Sequence, residues 1–208
     1  MTSASAPPSF GPYKTNWPRN LFCKPGLIIT LNTPSKRTSV LEINALLNNL
    51  ETELKQIVIN RKLINPLMIG IRTGGVWVAE HMHQRLAINE PLGLLDISFY
   101  RDDFSQIGVH PHVKPSSVPA HIEGRDIILI DDVFHTGRTV RAALNEIFDY
   151  GRPNQVILAV LIARDGKQIP IAPDCAGSRM VLTADQRIKL TGPTPLAIHL
   201  ENSAPDKP

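Results

Sequence analysis

A chain of 208 residues, 42% of them apolar, is long enough for one domain with a sizeable core. Its formal charge of +3 and pI near 9.0 suit an anionic ligand or RNA, but a solvated basic surface gives the same balance, so charge selects no function. The longest apolar runs, such as Val156–Ala163, fall far short of the roughly 20 residues a membrane span needs. The first residues also lack the basic-then-apolar order of a secretory signal, so the cytoplasm is the expected compartment.

Residues 1–38, rich in Pro, Ser, Thr and Asn, read as an extended arm, partly mobile at its start. From Ser39 the pattern changes. Ser39 and Glu42 have capping-box spacing, and Val40, Ile43, Leu46, Leu47, Leu50, Leu54 and Ile57 recur on one helical face. Leu67–Ile71 predicts a short strand ending at Arg72-Thr73-Gly74-Gly75, with a helix over Val76–Leu86. Leu94–Tyr100 predicts a second strand, and Arg101–Gly124, punctuated by Pro111, Pro115 and Pro119, a long loop or flap.

Ile127–Ile130 is a continuous apolar run, the pattern of a strand buried on both faces of a parallel sheet. Over Thr139–Tyr150, Val140, Ala143, Leu144, Ile147 and Phe148 form one helical stripe, and Gly151 and Pro153 supply the stop. Gln155–Ala163 is a further buried strand, and the short apolar pieces beyond it predict a hood or edge strands. The expected division is therefore an arm at 1–38, one domain at 39–200 and a mobile tail at 201–208. Cys23 and Cys175 are too few for a disulfide framework and are read as free thiols. The pairs His81/His83 and His110/His112 have no carboxylate or cysteine at a spacing that completes a recognisable metal site.

Strands alternating with helices imply an α/β fold with a mostly parallel sheet flanked by helices. Ligands of such sheets bind beyond the carboxyl ends of the strands, which selects the loops at 72–75, from Tyr100 onward, and at 131–139. The last is the most informative. In Ile127-Ile128-Leu129-Ile130-Asp131-Asp132-Val133-Phe134-His135-Thr136-Gly137-Arg138-Thr139, an apolar strand leads through two carboxylates into a small-residue loop that opens a helix. A helix start offers unpaired N–H groups and a positive dipole end, so Thr136, Gly137, Arg138 and Thr139 can wrap a phosphate. Asp131 and Asp132 can accept hydrogen bonds from vicinal ribose hydroxyls or hold a hydrated magnesium ion. An acidic pair alone is as well explained as a helix cap. Neither a Walker loop nor a GxGxxG fingerprint is present, which removes the usual support for nucleotide hydrolysis and hydride transfer.

The complete string resembles the signature with which type I phosphoribosyltransferases bind phosphoribosyl pyrophosphate (PRPP). Gly93–Asp103, the stretch from Phe134 to Pro153 and Leu158–Pro170 widen that resemblance to the PyrR family over roughly residues 35–200. Members of that family are pyrimidine-operon regulators that also act as uracil phosphoribosyltransferases. The resemblance implies the type I phosphoribosyltransferase fold with a small hood and a flexible flap, and conversion of uracil and PRPP to UMP and pyrophosphate. The alternatives are a UMP-responsive RNA-binding regulator with weak or no activity, and a type I transferase for another base.

By the same resemblance, Arg72, Arg101, Asp131 and Asp132 are the expected catalytic residues, and Asp131 and Asp132 the ligands of Mg2+, directly or through water. PRPP is expected to contact Thr73, Gly74, Gly75, Asp131, Asp132, His135, Thr136, Gly137, Arg138 and Thr139. The sequence departs from the family where Gly74 stands in place of a common arginine. It departs again at 174–180, where Cys175, Ala176 and Gly177 are the expected base-binding residues of a loop. Arg164-Asp165-Gly166-Lys167 either closes the site or forms a surface turn. Relatives bind leader RNA on a basic face of a dimer, which makes Lys36, Arg37, Arg141 and Arg152 the RNA candidates and a homo-oligomer the expected assembly.

Overall fold

The computed structural model describes residues 28–29, 39–97, 116–118, 121–183 and 185–202. Residues 101–115 of the expected flap, the RNA candidates Lys36 and Arg37, and the tail beyond 202 lie outside the described residues. The main sheet is parallel throughout, ordered β1 (Ile28–Ile29), β7 (Cys175–Met180), β6 (Gln155–Arg164), β5 (Asp126–Phe134), β3 (Leu67–Ile71) and β4 (Gly93–Leu95). A second, antiparallel sheet joins β2 (Ser39–Leu41), β9 (Ala197–Asn202) and β8 (Gln186–Thr191), in the position of the expected hood.

Both faces of the main sheet are covered, which is why its strands read as unbroken apolar runs. On one face α1 (Ile43–Asn60) buries Leu46, Leu47, Leu50 and Leu54, and α2 (Gly74–Arg85) buries Val78, Ala79 and Met82, against Met68, Ile128, Ile130 and Leu161. On the other, α3 (Arg138–Tyr150) buries Val140, Ala143 and Ile147 against Ile127, Leu129, Leu158 and Val160. Removing a side chain of this size from water contributes about 1.5–3 kcal/mol, so the two stripes hold the sheet between them.

Several boundaries move from the sequence expectation. Ser39 lies in β2, paired with Leu200, and α1 begins after Glu42 with no side-chain cap bond; strand pairing outcompetes the capping box. Helix α2 starts at Gly74 and α3 at Arg138, one or two residues earlier than the apolar stripes alone suggest. Of the strand expected at 94–100, the described residues show Gly93–Leu95. Strand β5 continues through the acidic pair to Phe134, because β6 pairs with it throughout, Asp131 opposite Val160 and Val133 opposite Ile162.

The largest correction concerns the loop expected at 174–180, of which Cys175–Met180 is strand β7. Cys175, Ala176 and Gly177 are buried in it, with Cys175 and Ala176 packed into the two cores, so none of the three is presented at a loop as expected. Gly177 instead admits α1: an added Cβ would lie 2.5 Å from the Leu46 carbonyl oxygen and 2.7 Å from that of Leu161. Asn49 Nδ2 donates to the Gly177 carbonyl at 3.3 Å. No helix among the described residues is long and apolar enough to cross a membrane. Because both neighbours of Gly177 are backbone and cannot swing away, Gly177→Ala should destabilise the fold by about 1–3 kcal/mol in urea unfolding. An unchanged midpoint would show that α1 can retreat from β7 without cost.

Candidate active site

Adjacent strands β3 and β5 send their helices to opposite faces, α2 to one and α3 to the other, so the chain opens a crevice between their carboxyl ends. Arg72 leaves β3 there, half-buried, with its main-chain N–H donating to the Leu95 carbonyl at 2.8 Å and its peptide bond to Thr73 cis. Thr73, exposed, precedes the first turn of α2. Gly75 is buried beneath it; a Cβ would lie 2.7 Å from the Ile130 carbonyl oxygen and 3.0 Å from Asp131 Cα. At Gly74 a Cβ would run into the Asp132 carboxylate. The two glycines thus let the start of α2 rest directly on the end of β5.

The acidic residues differ in exposure. Asp131 is 2% exposed, and its Oδ1 accepts the main-chain N–H of Asp132 at 3.0 Å. Asp132 is half-buried beside Gly74 and opens to the crevice. Beyond them the chain turns through His135, Thr136 and Gly137 into α3, with Gly137 at φ +89°. Only glycine adopts that conformation freely. The Arg138 N–H reaches Thr136 Oγ1 at 3.4 Å, and Arg138 and Thr139 begin the helix. The structure therefore brings Arg72, Thr73, Gly74 and Gly75 together with Asp131 and Asp132, and continues them into the loop at 135–139. It does not gather Arg141 and Arg152: Arg141 is exposed in the first turn of α3, and Arg152 is exposed beyond the helix's last residue, Tyr150.

An arrangement that the linear pattern did not disclose lies across the ends of β5, β6 and β7. A cavity of about 450 Å³ has Phe134, Ala163 and Met180 as apolar walls and Arg164, Lys167 and Arg179 as basic ones. These residues come from three strand ends and the turn after β6, far apart in sequence, so no spacing signals them. Among the described residues, Arg164 Nε is buried without a hydrogen-bond partner. No three His, Cys, Asp or Glu side chains among the described residues converge as a metal cage. His135 titrates below its ordinary 6.5, first because partial burial disfavours the imidazolium and then because Arg164 repels it, with Asp165 opposing.

Residues 36–186 match the model of the phosphoribosyl transferase domain, which names the class that this crevice and its two loops define. Among solved structures, a hypoxanthine-guanine-xanthine phosphoribosyltransferase aligns with TM-score 0.52 at 18% identity, covering 70% of this chain and 79% of that one. A hypoxanthine phosphoribosyl transferase of Trypanosoma cruzi aligns with TM-score 0.56 at 16% identity, covering 73% and 80%; at these identities the likeness concerns the fold. Bifunctional protein PyrR of Pseudomonas entomophila is 51% identical over 160 residues, 77% of this chain and 93% of the relative. Its namesake from Nitrosococcus oceani is 52% identical over 163 residues, 77% and 92%. The chain belongs to the PyrR family.

The His135 environment is directly measurable. Following its imidazole by NMR should show a midpoint below 6.5, and Arg164→Ala should raise it by removing a repelling charge. A midpoint at or above the ordinary value, or one unmoved by Arg164→Ala, would contradict this arrangement.

Proposed function

We propose that this chain transfers the ribose 5-phosphate of PRPP to uracil, releasing pyrophosphate and UMP. The observation that carries the reading is the contact of the α2 start with the acidic end of β5, which sets an anion-binding loop beside sugar-binding carboxylates at the switch point. The family membership at about half identity supports it. Pyrophosphate lies on Arg72, Thr73, Gly74 and Gly75, the ribose hydroxyls on Asp132, and the 5′-phosphate on His135, Thr136, Gly137, Arg138 and Thr139. Asp131, buried, holds the Asp132 backbone from beneath.

The base occupies the cavity at the ends of β6 and β7, where Arg164 on the wall supplies guanidinium donors for a ring whose polar edge carries carbonyl acceptors. This assigns base contact to Arg164 and the Arg179–Val181 stretch in place of Cys175, Ala176 and Gly177. In the reaction the C1–oxygen bond to pyrophosphate breaks ahead of formation of the C1–N1 bond, and the N1 proton leaves to solvent. Charge accumulating on the departing pyrophosphate needs cationic partners, supplied by Arg72 and by Arg101, which lies outside the described residues. Positioning and electrostatics, and no protein nucleophile, lower the barrier.

Magnesium fits this donor set. Two adjacent carboxylates, one half-open, face a loop that takes an anion, and anion and carboxylates repel unless a cation lies between them. A hard ion with few protein ligands and several phosphate oxygens matches Mg2+ better than a full protein cage would. When bound, it neutralises phosphate charge; Asp132 would hold it, with Asp131 behind. A UMP-responsive contact with pyrimidine leader RNA is the second reading, supported by the relatives' bifunctional naming and by exposed Arg141 and Arg152. The assembly in this reading is a cytoplasmic homodimer or larger.

Pyrophosphate release from PRPP with magnesium, assayed in parallel with uracil, hypoxanthine, guanine and orotate, should be selective for uracil. Silence with all four, together with salt-sensitive binding of a leader RNA, would replace the enzyme with the regulator. Asp131→Asn combined with Asp132→Asn should cut turnover by at least about 10-fold, in line with losses at metal-supporting residues. Wild-type rates in that variant would remove the acidic pair from the mechanism.

A further inference from the structure

The phosphate loop after β5 does not stand alone. The turn after β6 is fastened to it at three points. The Gln168 main-chain N–H donates to the Thr136 carbonyl at 2.9 Å. Gly137 is so close to Ile169 that an added Cβ would lie 2.7 Å from its Cγ1 and 3.0 Å from its Cδ1. Gly166, at φ +94°, lies under the His135 ring, with its Cβ position 2.9 Å from Nε2. Residues 164–167 of the same turn form one wall of the cavity at the ends of β6 and β7.

We propose that this turn is a latch through which a ligand in the cavity tightens the hold of the loop at 135–139 on a phosphate, with Ile169 and Gly166 as its positioning residues. The proposal deepens the reading above, since it takes the cavity as the base site and the loop as the 5′-phosphate site. The physical basis is shared ordering. A base that settles against Arg164 and Lys167 restrains the turn, and the restrained turn presents Ile169 and the Gln168 N–H to the loop in fixed register. A phosphate arriving second then orders less of the chain, which is positive coupling without any large rearrangement. Neither Ile169 nor Gly166 needs to touch the phosphate; Ile169 acts through Gly137, and Gly166 through His135. Gly137 is where the two requirements meet, because its backbone both starts α3 in a left-handed conformation and leaves room for the Ile169 side chain.

Ribose 5-phosphate and uracil together test the latch without turnover, because no pyrophosphate is present to leave. By calorimetry, saturating uracil should lower the dissociation constant of ribose 5-phosphate for the wild-type protein by about 5-fold or more, the low end of ordinary coupling between sites. Ile169→Ala should abolish that difference and Ile169→Val should retain most of it, while pyrophosphate affinity and the thermal midpoint of Ile169→Val stay as in the wild type. Gly166→Ala, which strains the turn at φ +94° and puts a methyl group against the His135 ring, should abolish the coupling as well, and it reads the latch even where Ile169→Ala fails to fold. Equal coupling in the wild type and both disruptive variants, or none in the wild type, overturns the latch. Uracil-dependent pyrophosphate release from PRPP separates the two levels: release with coupling untouched by the variants sinks only the latch, and no release sinks the base assignment on which it rests.

Discussion

The site depends on one close approach, that of helix α2 to the ends of β3 and β5. Three glycines line the path. At Gly70 a Cβ would lie 2.9 Å from both Ala79 Cβ and Val76 Cα; at Gly75 it would meet the Ile130 carbonyl; at Gly74 it would collide with the Asp132 carboxylate. The driving force is the burial of Val78, Ala79 and Met82 against the sheet, and the glycines set how far it can pull the helix in. A side chain at Gly75 would have to displace backbone, whereas one at Gly74 would displace a carboxylate that can rotate. The two positions are therefore unequal: Gly75 maintains the fold, and Gly74 determines where Asp132 points.

That approach also shapes the electrostatics. Asp131 is buried almost completely, a position that is costly for a carboxylate unless hydrogen bonds compensate. One oxygen takes the Asp132 N–H, and the positive end of α2 lies just above, since Gly75, in the first turn of the helix, lies within contact of Asp131. The helix start thus serves two anions: the buried carboxylate beneath it and, in the proposed reading, pyrophosphate in front of it. Placing both on one short element keeps their separation fixed.

The sequence makes parts of this legible for clear reasons. Strand β5 and helix α3 announce themselves because burial on both faces leaves a continuous apolar run, and burial on one side of a helix leaves a 3.6-residue stripe. The acidic pair and the Thr136-Gly137 loop lie within or next to those elements and inherit their visibility. Strand β7 was illegible: Cys-Ala-Gly-Ser-Arg-Met has no β-branched or aromatic residue, and it is a strand because β6 pairs with it and α1 packs on Gly177. The cavity wall was hidden for a related reason. Phe134, Arg164 and Arg179 converge through the parallel register of three strands, which no local spacing records.

The strand order then acts as a ruler. Moving across the sheet from β3 to β5, β6 and β7, the carboxyl ends present the glycine turn, the acidic pair with its loop, the Arg164 turn and the Arg179 wall. Neighbouring strands lie about 4.8 Å apart, so the four stations span roughly 14 Å. In the proposed reading that sequence follows the substrate from pyrophosphate through ribose to base, with the 5′-phosphate turned toward α3. Strands hold these stations at fixed intervals, so adjustment during binding falls to the turns between them. Among the described residues, the turn after β6 is joined both to the cavity and to the phosphate loop. A parallel sheet that separates its ligand's parts by strand spacing therefore needs a cross-link of this kind for occupancy at one station to be felt at another, and the Gln168 and Ile169 contacts supply it.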